Sequence, residues 1–147
     1  MKKVTIYTDG ACHGNPGPGG YGVVLLHNTH RKELSGGESE TTNNRMELQA
    51  AIIGLEALKE SCEVELYSDS RYLVDAIEKG WAVRWRENNW MRNKKDPALN
   101  VDLWERLFSV LNKHLVHFHW VKGHAGNQEN ERCDTLAGEA IKQLSTR

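Results

Sequence analysis

A mixed α/β fold is predicted by three features: two short apolar strands that each end in an aspartate, a run of three strand-like segments near the amino terminus, and helical apolar spacing between and after them. Val4-Thr5-Ile6-Tyr7-Thr8-Asp9 reads as the first strand and runs into Gly10. Tyr21-Gly22-Val23-Val24-Leu25-Leu26 reads as the second, and a weaker third runs over 31–40, so the three suggest an antiparallel meander. Gly14-Asn15-Pro16-Gly17-Pro18-Gly19-Gly20 reads as a turn-rich loop, without the Gly-Lys-Ser/Thr ending that would cradle a nucleotide phosphate. Over 44–59 the spacing is helical, with Met46, Ala50, Ile53 and Ala57 on one stripe and Leu48, Ile52 and Leu55 beside it, so this helix should be largely buried. A strand over 63–68 ends in Asp69; a helix over 70–78, a basic segment, a helix over 101–111, a strand over 117–121 and a last helix over 128–144 complete the chain. This order lets helices cover both faces of one sheet.

The 147 residues, 39% hydrophobic and 27% charged, make one domain over 1–147 with a real core and a basic protrusion around 79–98. There is no apolar run near the length of a membrane span, and Met1-Lys2-Lys3 passes directly into a strand, so a cytoplasmic monomer without a membrane partner is the expectation. Cys12, Cys62 and Cys133 are odd in number and widely spaced, which argues against disulfides and thiolate zinc. The net charge of −1 predicts no polyanion binding by itself, but it is unevenly spread. Lys79, Arg84, Arg86, Arg92, Lys94 and Lys95 stand against Glu87 alone, a local +5 that leaves −6 on the remainder.

If the two Asp-terminated strands are parallel neighbours, Asp9 and Asp69 share one edge of the sheet. Glu47 lies on a stripe with Ala51, Leu55 and Leu58, and Asp134 on one with Ala137, Ile141 and Leu144, where a lone charge is costly to bury. Three of the four acids have a simpler reading: Asp9 as a turn residue before Gly10, Asp69 as a helix N-cap, Glu47 as the far end of a capping box that starts at Asn44. That all hold at once is improbable. Two unit charges about 4 Å apart cost on the order of 4 kcal/mol at an effective dielectric of about 20, so such a cluster needs a counter-charge. Clustered carboxylates without neighbouring Cys or His pairs suit Mg²⁺ or Mn²⁺ better than zinc.

The stretches Tyr7-Thr8-Asp9-Gly10-Ala11-Cys12, Thr41-Thr42-Asn43-Asn44-Arg45-Met46-Glu47-Leu48, Ser68-Asp69-Ser70, Asn100-Val101-Asp102-Leu103-Trp104 and Trp120-Val121-Lys122-Gly123-His124-Ala125-Gly126, with Asn130 to Asp134, closely resemble the bacterial-type ribonuclease HI family. The resemblance spans nearly the whole chain, in order. It implies the ribonuclease H fold, α/β with a five-stranded mixed sheet (three antiparallel strands, then parallel ones) flanked by helices on both faces. It also implies endonucleolytic hydrolysis of the RNA strand of an RNA–DNA hybrid to 5′-phosphate and 3′-hydroxyl ends, with Asp9, Glu47, Asp69 and Asp134 holding two Mg²⁺ ions, or Mn²⁺ in their place.

His124, flanked by Gly123 and Gly126 just before the helix of Asp134, suits proton transfer or product release from a mobile loop. Asn15, Asn43 and Asn44 match family positions that contact the minor groove or backbone, with Cys12 and Ser70 nearby. Arg71 stands where the family leads one to expect glutamine. Trp81, Arg84, Arg86, Lys94 and Lys95 belong to the segment matching the family's basic protrusion, which grips the DNA strand, although core packing explains Trp81 and Trp85 equally well. Two other readings stay open: a non-catalytic hybrid-binding module, whose mark would be loss of one acid, and a two-metal DNA nuclease or resolvase of the same superfold.

Overall fold

The computed structural model describes residues 1–145. Strands β1 (Lys2–Cys12), β2 (Gly17–His27) and β3 (His30–Thr41) are followed by helix α1 (Asn43–Glu56), strand β4 (Cys62–Ser68), helices α2 (Arg71–Glu78), α3 (Trp81–Glu87) and α4 (Val101–Leu111), strand β5 (Leu115–Trp120) and helix α5 (Gln128–Leu144). The five strands form one sheet in the order β3-β2-β1-β4-β5, with β1, β2 and β3 antiparallel and β1, β4 and β5 parallel. The expected mixed sheet is therefore present, and β1, which carries Asp9, and β4, which leads into Asp69, are parallel neighbours in it.

Alternating side chains divide the core between the two faces. On one face Ile6, Val23, Leu66 and Val64 pack against Leu48, Ile52 and Leu55 of α1 and Leu103, Trp104 and Leu107 of α4. On the other, Val24 meets Cys133 and Leu136 of α5, with Tyr7 and Leu26 beside them. Trp104 ties α2, α3 and α4 together: its ring is fully buried, Trp85 meets it edge-on at 6.1 Å, and its Nε1 donates to the Tyr72 hydroxyl at 3.0 Å.

Several boundaries differ from the sequence-based expectation. The segment read as a loop over 14–20 is shorter, because β2 begins at Gly17 and pairs Gly19 and Gly20 with Cys12 and Ala11. Strand β1 correspondingly continues past the Asp9-Gly10 pair instead of turning there. Helix α1 starts at Asn43, its N-cap being Thr42, whose side chain accepts from the Arg45 N–H. Glu47 is thus beyond capping reach. Ser70, not Asp69, caps α2, accepting from the Leu73 N–H at 3.1 Å. The basic segment holds a short helix, α3, that periodicity did not reveal.

Two glycines set how closely the helices approach the sheet. A Cβ on Gly10 would lie 2.5 Å from the backbone nitrogen of Glu47, so its absence brings α1 against β1. Gly22, the antiparallel partner of Asp9, allows α5 the same approach, since a Cβ there would lie 2.2 Å from the Cys133 carbonyl oxygen. Backbone cannot move aside as a side-chain tip can. Gly22→Ala should therefore lower unfolding free energy in urea by about 1–3 kcal/mol, the usual range for overpacking. Gly138→Ala, in the interior of α5 where an added Cβ meets nothing within 4 Å, should raise it by about 0.5–1 kcal/mol. Equal effects at the two sites would remove the close-packing account of α5.

Candidate active site

The parallel register of β1 and β4 places Thr8 beside Ser68, so Asp9 and Asp69 emerge side by side at the same end of the sheet. Helix α1, drawn in by Gly10, brings Glu47 to the same place: the Gly10 N–H donates to Glu47 Oε1 at 2.7 Å and to Asp9 Oδ1 at 2.9 Å. One carboxylate oxygen from each of Asp9, Glu47 and Asp69 lies within 4.8 Å of the others. Asp134, projecting from α5, reaches Asp9 and lines the same cleft, though it stands outside that tight group of three. Asp9 is thus the acid common to both sides of the cluster.

Burial and like charge make this arrangement strained without a cation. Asp9 and Glu47 are each only 4% exposed. Burial, with Asp69 and then Asp134 alongside, pushes the Asp9 carboxyl up to about 9. Glu47 is raised well above its usual range, first by burial and then by Asp9 and Asp69, against which the Gly10 N–H acts in the opposite direction. Asp69 Oδ1 is buried and without a hydrogen-bond partner among the described residues. A set of carboxylate oxygens with an orphaned acceptor and no net counter-charge fits a hard divalent cation.

The cleft, about 480 Å³, is lined also by Gly10, Ala11, Cys12, Asn43, Asn44, Ser70, Arg71, Tyr72 and His124. A more apolar hollow of about 250 Å³ at the opposite end of the strands, beside Val4, Leu25 and Cys62, holds none of the four acids. Asn15 lies beside the cleft, its Oδ1 accepting from the Asn43 N–H at 3.0 Å. The Cys12 thiol is turned to backbone, donating to the Gly14 carbonyl at 2.8 Å. His124 is exposed on the connection from β5 to α5 at φ 55°, and Gly126 at φ 86° shares that left-handed geometry. Gly123 approaches so closely that a Cβ there would lie 2.7 Å from Asp69 Oδ2.

The basic protrusion contributes nothing to the cleft lining. Trp81 is partly buried against the core, with Lys79 Nζ 5.3 Å from its ring centre, and the guanidinium of Arg86 stacks 4.3 Å over Phe108. Arg84 is exposed on α3. Lys94 and Lys95 stand at the tip of a tight reversal in which Asn93 Oδ1 accepts from the Lys95 and Asp96 N–H groups. Tyr72 was not anticipated as a cleft residue. On an amphipathic helix it reads as packing, and only its position three residues after Asp69 hinted otherwise.

Comparison with known proteins agrees with this geometry. The sequence profile of the RNase H family matches residues 1–142. A "Ribonuclease H" of Desulforamulus reducens is 68% identical over 143 residues, covering 97% of this chain and 90% of that protein. One from Syntrophus aciditrophicus is 68% identical over 140 residues, covering 95% and 81%. Among solved structures, LC9-RNase H1, a type 1 RNase H with the type 2 active-site motif, superimposes with a TM-score of 0.88 at 32% identity, covering 97% of this chain and 74% of that one. LC11-RNase H1, solved in complex with an RNA/DNA hybrid, gives a TM-score of 0.74 at 27% identity, covering 96% and 98%.

In the metal-free protein the raised carboxyls keep protons that the unfolded chain releases near pH 4. Their contribution is present below that pH and is lost as pH rises toward the folded value of about 9 for Asp9. Asp9→Asn, a neutral isostere, should therefore melt at or above wild type in chelator at pH 8, with the gap narrowing at pH 5. Added divalent cation should raise the wild-type melting temperature more than the variant's. A clear loss of stability for the variant in chelator would make Asp9 a structural partner instead.

Proposed function

The chain belongs to the ribonuclease H family, and we propose that it cuts the RNA strand of RNA–DNA hybrids endonucleolytically, leaving 5′-phosphate and 3′-hydroxyl ends. The observation that carries this is the convergence of Asp9, Glu47 and Asp69 within 4.8 Å, with Asp134 reaching Asp9, in a chain 68% identical to a named ribonuclease H. Two Mg²⁺ ions, or Mn²⁺, held by these four acids with Asp9 shared, would supply Lewis-acid charge at the attacking water and at the leaving oxygen. The Gly10 N–H holds Asp9 and Glu47 in their relative orientation through its two hydrogen bonds. His124, exposed beside the acids, takes up or delivers a proton as product leaves.

Recognition of a hybrid requires groups for the 2′-hydroxyl and for the phosphate backbone. Asn15, Asn43, Asn44, Cys12, Ser70 and Arg71 lie in or beside the cleft and take the strand being cut, while Arg84, Arg86, Lys94 and Lys95 hold the other strand's phosphates. Trp81 supports the protrusion from below. All four acids are present, which disfavours a non-catalytic module; relatives of 57% to 68% identity bearing the name Ribonuclease H disfavour a junction resolvase. The reading places the protein in the cytoplasm as a monomer. No helix among the described residues is long and apolar enough to cross a membrane.

Labelled hybrid, double-stranded RNA and double-stranded DNA, each with Mg²⁺ or chelator, test the class: cutting should be confined to the hybrid and abolished by chelator. Cutting of a four-way DNA junction in preference to the hybrid would replace this reading with the resolvase one. His124→Ala should lower kcat by about 10²-fold, in the range of lost acid–base help, with KM unchanged. Folding should be little affected, because the exposed His124 side chain makes no hydrogen bond or ion pair among the described residues. Wild-type kcat across neutral pH would make His124 a bystander. Replacing Arg84, Arg86, Lys94 and Lys95 together with Ala should raise KM far more than it lowers kcat and should flatten the salt dependence of binding; an unchanged salt slope would detach this segment from phosphate.

A further inference from the structure

Trp120 is the last residue of β5 and is 38% exposed, unusual for so large an apolar ring. Its position is nevertheless tightly fixed. It pairs in register with Ser68, the residue before Asp69, and the following Val121 N–H donates to the Ser68 carbonyl at 2.9 Å. The indole Nε1 donates to the Asp69 carbonyl oxygen at 3.1 Å, which locks the ring about its long axis. With one edge pinned in this way, a ring face is left for a partner. That partner is Arg71, whose guanidinium carbon lies 3.8 Å from the ring centre.

Arg71 is itself held at the backbone, as the first residue of α2 behind the Ser70 cap. Its guanidinium is exposed, lines the carboxylate cleft and makes no ion pair or hydrogen bond among the described residues, whereas Arg31, Arg45, Arg106 and Arg132 each pair with an acid. An unpaired arginine two residues from Asp69 would be drawn onto the uncompensated acids, where it would occupy the cation's place. The indole face provides an alternative seat, since a guanidinium is weakly hydrated and stacks well on an aromatic ring.

We propose that Trp120 is a positioning residue for substrate binding: it holds Arg71 aside from the four acids and presents the guanidinium to a backbone phosphate of the bound hybrid. The stack leaves the guanidinium's N–H edges free, and these are the groups that bind phosphate oxygens. This inference rests on the hybrid-binding reading of the cleft, and adds to it a residue that lies outside the cleft lining and acts through Arg71.

A double-mutant cycle on the full chain tests it. Trp120→Leu and Arg71→Gln should each raise KM for the hybrid roughly fivefold to tenfold at low salt, as loss of a charged contact does. Each should also reduce the salt slope of binding by about one. The double variant should be no worse than Arg71→Gln alone, because Trp120 then has nothing to position. Trp120→Phe, which keeps an aromatic face but loses the N–H, should restore most of the affinity. Additive effects of Trp120→Leu in the two backgrounds would overturn the proposal, as would a fall in kcat at constant KM, which would place its role at the Asp69 carbonyl. Binding of uncut hybrid in chelator gives the same comparison without cleavage. Failure of the wild type to cut the hybrid would thus count against the proposed function, and unequal salt slopes of Trp120→Leu and Arg71→Gln against the Trp120 inference.

Discussion

Like-charge repulsion among buried carboxylates is the constraint to which this fold is built. The parallel pairing of β1 with β4 fixes Asp9 beside Asp69, and the absence of side chains at Gly10 and Gly22 brings α1 and α5 close enough to add Glu47 and Asp134. None of these placements is soft. Each is determined by a sheet register or by a backbone approach that the surrounding core enforces, so the acids cannot relax apart when uncompensated. Burial first, and the repulsion with it, appear instead as protons retained, Asp9 pushed up to about 9 and Glu47 well above its usual range.

The helices that carry the acids are secured some distance from them. Helix α5 is tied to β3 by paired arginines and glutamates: Arg31 donates to Glu129 at 2.7 and 2.8 Å, and Arg132 to Glu33 at 2.9 Å with both arms. Arg45 on α1 clasps Asp102 on α4 with two bonds, at 2.9 and 2.7 Å. These pairs are partly exposed, so each contributes little to stability. Their bidentate geometry serves orientation, which is what a site of fixed carboxylates requires. Exposed sheet edges are also managed: β3 carries Arg31, Lys32 and Glu33, and Glu78 of α2 accepts from the Phe118 N–H of β5 at 3.4 Å.

The elements that periodicity defines were legible in the sequence: α4 and α5 lie over the residues expected, and Asp9, Glu47 and Asp69 converge, with Asp134 beside Asp9. What failed were local rules overridden by pairing at a distance. Gly17 to Gly20 read as a loop because glycines punctuate turns, yet these residues begin β2, where the missing side chain of Gly20 admits α5. The capping reading of Glu47 failed because Thr42 starts the helix earlier, and that of Asp69 because Ser70 takes the cap. Helix α3 was hidden by its shortness and its charges. The Arg71 and Trp120 stack joins residues 49 positions apart through the β4 to β5 register, which no spacing along the chain could show.

The folded acid cluster stores protons which a divalent cation displaces. Calorimetric titration of Mn²⁺ into the metal-free protein at pH 7.5, repeated in buffers of different ionisation enthalpy, counts protons released per ion bound. Net release of at least one proton is expected, since Asp9 is protonated at that pH in the metal-free fold and Glu47 is raised well above its usual range. Binding with no dependence on the buffer would show that the carboxylates are already ionised, and would contradict the claim that their repulsion shapes the site.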